Sequence, residues 1–253
     1  MTLALAATLL LSVLIGLSLG LLGGGGSILT VPILTYVAGL SPREAIASSL
    51  FVVGVTSAVS AIGHARKGRV KWRTGLIFGA AGMVGAFGGG LLGGRIPGTI
   101  LMIAFALMMV ATSAAMIRGR KTVKAAGDGE LRVGKVIFEG LVVGLVTGLV
   151  GAGGGFLVVP ALALLGGLSM PVAVGTSLVV IAMKSFAGLG GYLTTVSLNW
   201  PLIAAVTVAA ILGSLIGARL AGRIPEAALR RGFGIFVLVM GIFVLAQELL
   251  GLR

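Results

Sequence analysis

The segments Gly20-Leu21-Leu22-Gly23-Gly24-Gly25-Gly26-Ser27-Ile28-Leu29-Thr30-Val31-Pro32 and Gly148-Leu149-Val150-Gly151-Ala152-Gly153-Gly154-Gly155-Phe156-Leu157-Val158-Val159-Pro160 are two versions of one pattern. The offset of 128 positions that carries Pro32 onto Pro160 also carries Trp72 onto Trp200. It carries Gly94-Arg95-Ile96-Pro97 onto Gly222-Arg223-Ile224-Pro225 as well. The chain is therefore a tandem duplication, and each copy interrupts an apolar run with glycines and a proline. If the runs lie in a membrane, matched helix breaks in the two halves point to a transport site.

Composition puts the runs in a membrane. The 253 residues are 58% hydrophobic and 10% charged, with a mean hydropathy of +1.19, whereas a soluble domain carries about 25% charged residues. Most of the surface must face lipid, and the 44 glycines are tolerated in membrane helices. The absence of cysteine excludes disulfides, thiolate metal sites and cysteine nucleophiles. A formal charge of +13 invites a nucleic-acid reading. However, the Lys and Arg residues fall in short loops between apolar runs, where positive-inside bias and anionic lipid headgroups account for them. No soluble basic domain is left to bind nucleic acid, and no cofactor motif is present. The stretch Met1 to Leu22 has no basic residue ahead of its apolar run, unlike a secretory signal. It matches the internal stretch near Lys135 to Val150, so it is expected to be a resident part of the fold.

A bilayer core about 30 Å thick needs about 20 apolar residues in a helix. Six runs of that length occur, at 44–62, 73–93 and 98–117 and again at 172–191, 201–221 and 228–250. Ahead of each trio lies a longer, glycine-interrupted region, 3–40 and 136–168. The arm from Ile28 to Leu40 is short for a full span; it either crosses at a thin place or returns as a re-entrant half-helix. Residues 1–118 thus form a first transmembrane repeat, 119–134 a basic cytoplasmic linker and 135–253 a second repeat. Ser41-Pro42-Arg43-Glu44 reads as a capping box with proline at the first helical position, and Ser169 holds the matching place. Small residues recur every fourth position at Ser12, Gly16, Gly20 and Gly140, Gly144, Gly148, and at Gly85, Gly89, Gly93 and Gly213, Gly217, Ala221. Such stripes are helix-packing surfaces.

Charge placement decides how the halves are oriented. Arg66, Lys67, Arg69, Lys71 and Arg73 crowd one loop, yet its counterpart, Tyr192 to Trp200, carries no charge. Arg219, Arg223, Arg230 and Arg231 cluster instead around the second Gly-Arg-Ile-Pro. Only an odd number of crossings per half places all the basic loops, and the basic linker, on the cytoplasmic side. The expected fold is an all-α polytopic membrane protein of two homologous halves in an inverted repeat. Each half has a Gly/Pro-broken or re-entrant helix followed by three spanning helices.

The paired glycine-proline segments, together with Ala47-Ser48-Ser49-Leu50, Gly175-Thr176-Ser177-Leu178 and the repeated Gly-Arg-Ile-Pro, resemble the TauE/SafE family of sulfite-exporter-like anion permeases. The likeness covers nearly the whole chain apart from the linker and ends. It implies a multi-pass inner-membrane permease for sulfite, an organosulfonate or another small organic anion. Direction of transport and substrate identity do not follow from it.

An anion leaving water needs replacement donors, whereas several full positive charges would be costly to bury. Glycine-rich backbone at a half-helix start offers free N–H groups and the positive end of the helix dipole. Gly24, Gly25, Gly26 and Ser27, with Gly153, Gly154 and Gly155, are therefore the expected backbone cradle, although the same glycines would also serve tight helix crossing. Ser48 and Ser49, with Thr176 and Ser177, are expected to add hydroxyl donors near one depth, unless they bond back to their own helix carbonyls. Lys184 is the only charged residue near the middle of a clean span. It either attracts the anion or exchanges a proton, unless its stem snorkels toward the end near Gly191. Its counterpart in the first half is Thr56.

Glu139 is a candidate for proton coupling, or simply favours a helix dipole. His64, Trp72 and Trp200 read as interfacial residues, and Arg95 and Arg223 as anchors or exit gates. No Gly-Lys-Ser/Thr follows the glycines, which excludes a P-loop. An intramembrane enzyme would need grouped His, Asp or Glu at membrane depth, and the six acids and one His fall almost entirely near loops and ends. The expected function is alternating-access movement of a small sulfur-containing anion. A passive channel or a non-transport membrane partner is the alternative. The expected partners are the anion, the bilayer and a coupling proton or ion, with a homodimer left open.

Overall fold

The computed structural model describes residues 3–22, 27–118, 133–151, 158–159, 162, 168–220 and 226–251. Their regular structure is helical throughout: α1 (Leu3–Leu22), α2 (Ser27–Pro32), α3 (Pro42–Arg66), α4 (Trp72–Gly93), α5 (Gly98–Arg118), α6 (Val133–Val150), α7 (Met170–Tyr192), α8 (Trp200–Leu220) and α9 (Glu226–Leu250). The expected spans 44–62, 73–93, 98–117, 172–191 and 228–250 lie on such helices, and 201–221 does up to Leu220; those at 98–117 and 228–250 give shorter apolar stretches, Gly98–Ala114 and Gly234–Leu250. Five stretches are long and apolar enough to cross a bilayer: Leu3–Leu21, Pro42–Arg66, Trp72–Gly93, Pro171–Tyr192 and Trp200–Leu220.

Local chemistry explains the element ends. Ser41 caps α3 through the expected box: its N–H donates to Glu44 at 3.0 Å, its hydroxyl donates to the same carboxylate at 2.6 Å, and the Glu44 N–H points back to Ser41 Oγ. Ser169 precedes α7 in the same extended conformation but makes no side-chain cap bond, and Val172 leaves the reciprocal half of the box without its carboxylate. Gly68, with φ +67°, takes the left-handed turn that lets α3 fold back into α4. In the first glycine-proline break, Pro32 has no N–H to donate, and the chain widens at once into a π-helical turn over Ile33–Val37.

The small-residue stripes join the two halves to each other. A Cβ on Gly16 would collide with the Ala210 carbonyl and one on Gly20 with that of Ser214, while Gly213 and Gly217 sit on Val13 and Leu17. α1 therefore lies alongside α8 with the same polarity. The equivalent pair behaves alike: Gly85 and Gly89 meet Leu141 and Leu145, and Gly144 and Gly148 meet Gly82 and Ala86, so α4 and α6 are also parallel. On its other side α4 runs parallel to α7, with Gly75 on Thr176, Gly82 on Lys184 and Gly90 on Gly188.

α3 and α7 cross antiparallel. Gly188 faces Leu50, Gly54 faces Ser185 and Gly175 faces His64. They are the most buried of the five spans and form the centre of the bundle. Large apolar side chains such as Leu10, Leu14, Val84, Phe87, Leu107, Phe138, Val208, Leu212, Val239 and Ile242 are exposed on the surrounding helices, as a lipid-facing surface requires.

These polarities sort the loops between two ends. Arg66 to Lys71, the end of α5 and the end of α8 with Arg219 share the basic end. The start of α3, the α4–α5 turn and the α7–α8 turn share the other: Arg43 Nε donates to the Ile96 carbonyl at 2.8 Å, and Gly98 lies on Pro42. The end of α1 lies beside the end of α8, so the chain between Leu22 and Pro42, carrying α2 and the π turn, connects opposite ends of the bundle. A re-entrant arm returning to its own side does not fit this arrangement. In the second half Gly151 lies against Ile46, again opposite the end where α7 begins. Val158 and Leu162 pack between those ends with Phe78 and Val180.

Candidate functional site: a buried lysine at mid-depth

Lys184 is 1% exposed. Its stem crosses the face of α4 at Gly82, where an added Cβ would come within 2.6 Å of Cδ and 2.8 Å of Cγ. Its ammonium donates to Thr147 Oγ1 of α6 at 3.3 Å, and that hydroxyl in turn donates to the Gly144 carbonyl at 3.2 Å. No carboxylate among the described residues lies within salt-bridge distance of Lys184. The head stays inside the bundle, so the stem does not snorkel. Thr147 stands where the first half has Leu19, and that departure from the repeat was the sequence signal for it. The Gly82 contact had no comparable signal.

The antiparallel register brings Thr56 and Lys184 to one depth. Around that level, Thr56, Ser57 and Ser185 are fully buried and their hydroxyls have no hydrogen-bond partner.

The other expected site residues are dispersed. Gly24, Gly25, Gly26, Gly153, Gly154 and Gly155 lie outside the described residues, as does Arg223. Ser27 is buried at the start of α2. Ser49 donates to the Gly151 carbonyl at 3.0 Å and so ties α3 to the end of α6; neighbouring Ser48 is buried without a partner. Thr176 accepts from the Lys71 N–H at 3.0 Å, holding the α3–α4 loop onto α7. Ser177 bonds back to the Val174 carbonyl at 2.8 Å.

The two hydroxyl pairs do not share a depth. Because α3 and α7 are antiparallel, positions equally far into each helix fall at opposite ends, about 20 Å apart at a rise of 1.5 Å per residue. Glu139 is partly buried on α6, and Arg95 is exposed.

A profile of the family described as "Sulfite exporter TauE/SafE" matches residues 8–244. The chain belongs to the TauE/SafE family. A probable membrane transporter protein of Xylella fastidiosa (strain Temecula1) is 38% identical over 244 residues, covering 92% of this chain and 91% of the relative. Another, of Methanocaldococcus jannaschii, is 30% identical over 258 residues, covering 93% and 94%. A third, YdhB of Bacillus subtilis, is 25% identical with 94% and 98% covered. No solved structure matches the chain. Family membership together with the five spans makes this TauE/SafE chain a multi-pass membrane protein of the transporter class. Among the described residues, Lys184 is the one basic side chain buried at mid-depth.

Proposed function

We propose that this TauE/SafE protein moves a small oxyanion, such as sulfite, a sulfonate or a related organic anion, across the inner membrane by alternating access. The observation that carries the reading is Lys184: a fully buried lysine at mid-depth whose single described partner is a neutral hydroxyl. An intramembrane charge is costly without a partner and marks substrate paths. An oxyanion supplies the missing negative charge, and a single lysine binds it without the tenacity of several cations.

The helix polarities support an inverted repeat. α1, α3 and α8 run one way and α4, α6 and α7 the other, so the equivalent pairs α1/α6, α3/α7 and α4/α8 are each opposed. A two-fold axis in the membrane plane would pass at the level of Thr56 and Lys184, the depth at which inverted-repeat transporters hold their cargo. The basic end, with Arg66 to Arg73 and Arg219, is the cytoplasmic side. On this reading Gly24 to Ser27 with Thr176 and Ser177 serve the inner approach. Gly153 to Gly155 with Ser48 and Ser49 serve the outer one.

The test is purified protein in proteoliposomes, assayed with sulfite, sulfonates, sulfate and carboxylates. Saturable flux with counterflow of at least one sulfur oxyanion is expected, and a non-saturating, counterflow-incompetent current would identify a passive channel instead. Lys184→Met should lower that flux by about ten-fold or more, equivalent to about 1.4 kcal/mol of anion binding. Undiminished flux from properly inserted Lys184→Met protein would remove Lys184 from the site.

A further inference from the structure

Hydroxyls on apolar helices ordinarily satisfy themselves by bonding back to a carbonyl three or four residues earlier. This protein follows that habit on most of its helices. Thr8, Ser12, Thr112, Thr207 and Ser214 all bond back, at 2.7 to 2.9 Å. α3 departs from it. Thr56, Ser57 and Ser60 are buried, and none of their hydroxyls has a partner. Thr56, Ser60 and His64 follow at four-residue spacing, so they lie on one face, one above another. His64 Nδ1 is also without a partner, and the residue is half-buried at the basic end, where Arg69 and Lys67 are the charges acting on it.

On α7, Ser185, the counterpart of Ser57, is likewise buried without a partner at mid-depth, but the positions matching Thr56, Ser60 and His64 are satisfied or sealed. Lys184 is held by Thr147, Gly188 has no side chain, and Tyr192, the counterpart of His64, donates to the Leu149 carbonyl at 2.6 Å. The neighbouring contacts differ in the same sense. Where α4 offers Gly75, Gly79 and Gly82 to α7, α8 carries Ile203, Thr207 and Ala210, and α3 and α8 touch less extensively. One half is closed up to the far end by Tyr192. The other leaves a row of free donors running from mid-depth to the cytoplasmic surface.

We propose that Thr56, Ser57, Ser60 and His64 form the inner access route of the transported anion, a one-sided track of hydroxyl donors leading from the cytoplasmic mouth to the level of Lys184. This rests on the anion-transport reading and names the path within it. The free O–H groups replace water around an oxyanion step by step. Lys67 and Arg69 at the mouth bias the track toward anions. Because each hydroxyl is neutral, none holds the anion tightly enough to trap it.

The native chain has no cysteine, so single cysteines report directly. In inside-out vesicles, Thr56→Cys, Ser57→Cys and Ser60→Cys should react with a membrane-impermeant anionic methanethiosulfonate at least about ten-fold faster than Ser12→Cys or Thr207→Cys, whose native hydroxyls bond back. They should also react faster with it than with a cationic reagent of similar size. In right-side-out vesicles they should be protected. All the substitutions are close to isosteric, and elution as a single species in detergent confirms folding. Labelling no faster than the controls, labelling from the outer side, or a preference for the cationic reagent would each overturn the route. The assay uses no transported substrate. Protein that labels but carries no sulfur anion refutes the transport reading alone, whereas protein that carries one but does not label refutes the route alone.

Discussion

Placing an ammonium group in the middle of a membrane bundle requires room for its stem as well as a partner for its charge. Position 82 provides the room by having no side chain. Gly82→Ala would put a methyl group within 2.6 Å of the Lys184 stem, inside van der Waals contact, and the flexible stem would yield by moving its head away from Thr147. Transport should therefore fall several-fold while the protein still inserts and purifies; anion flux alongside the melting temperature in detergent checks both halves of that statement. Lys184 was legible in the sequence because a lone charge in the middle of an apolar run is too costly to bury without a use. Thr147, 37 residues away, stood out only as a departure from the repeat, since nothing local links it to Lys184. Ser48, Ser49, Thr176 and Ser177 were legible as polar residues in apolar helices. Their depths were not, because depth depends on the relative direction of α3 and α7, a tertiary property.

At the scale of helices, four-residue glycine spacing announced packing faces without naming partners. The stripe Gly16–Gly20 sits on α8 and Gly140–Gly148 on α4, so each half's first helix is clasped by the other half. Adjacent spans in sequence supply less of this close packing, which is why reading along one repeat could not anticipate it. The backbones touch at these points, and no side chain is available to rotate away. Gly16→Ala should consequently destabilise the α1/α8 pair by about 1–3 kcal/mol, the range for overpacking. Gly63 is an internal control: it is helical, its φ is not positive, and nothing lies within 4 Å of an added Cβ. Gly63→Ala should be neutral or stabilising by up to about 1 kcal/mol, the helix propensity difference. Thermal unfolding of both variants in one detergent decides it; equal losses would mean that the clasp is not where the stability lies.

For the whole molecule, direction and charge agree. α3 and α4 meet in a loop carrying Arg66, Lys67, Arg69 and Lys71, while α7 and α8 meet in the uncharged turn between Tyr192 and Trp200. These loops hold equivalent places in the repeat yet fall at opposite ends of the bundle. The proposed inverted repeat accounts for this placement; in a parallel repeat the equivalent loops would share one end and Arg219 would lie across the membrane from Arg66. Positive-inside bias disfavours that arrangement. Thr194 and Arg219 are both exposed and belong to opposite ends of α8, so cysteines there report orientation with little effect on packing. Thr194→Cys should react with an impermeant maleimide only in right-side-out vesicles and Arg219→Cys only in inside-out vesicles. Reaction of both from one side would contradict the helix directions themselves. Exchange of the two sides would keep the proposed inverted repeat but reverse its orientation, moving His64 to the outer face and turning the proposed inner route into an outer one.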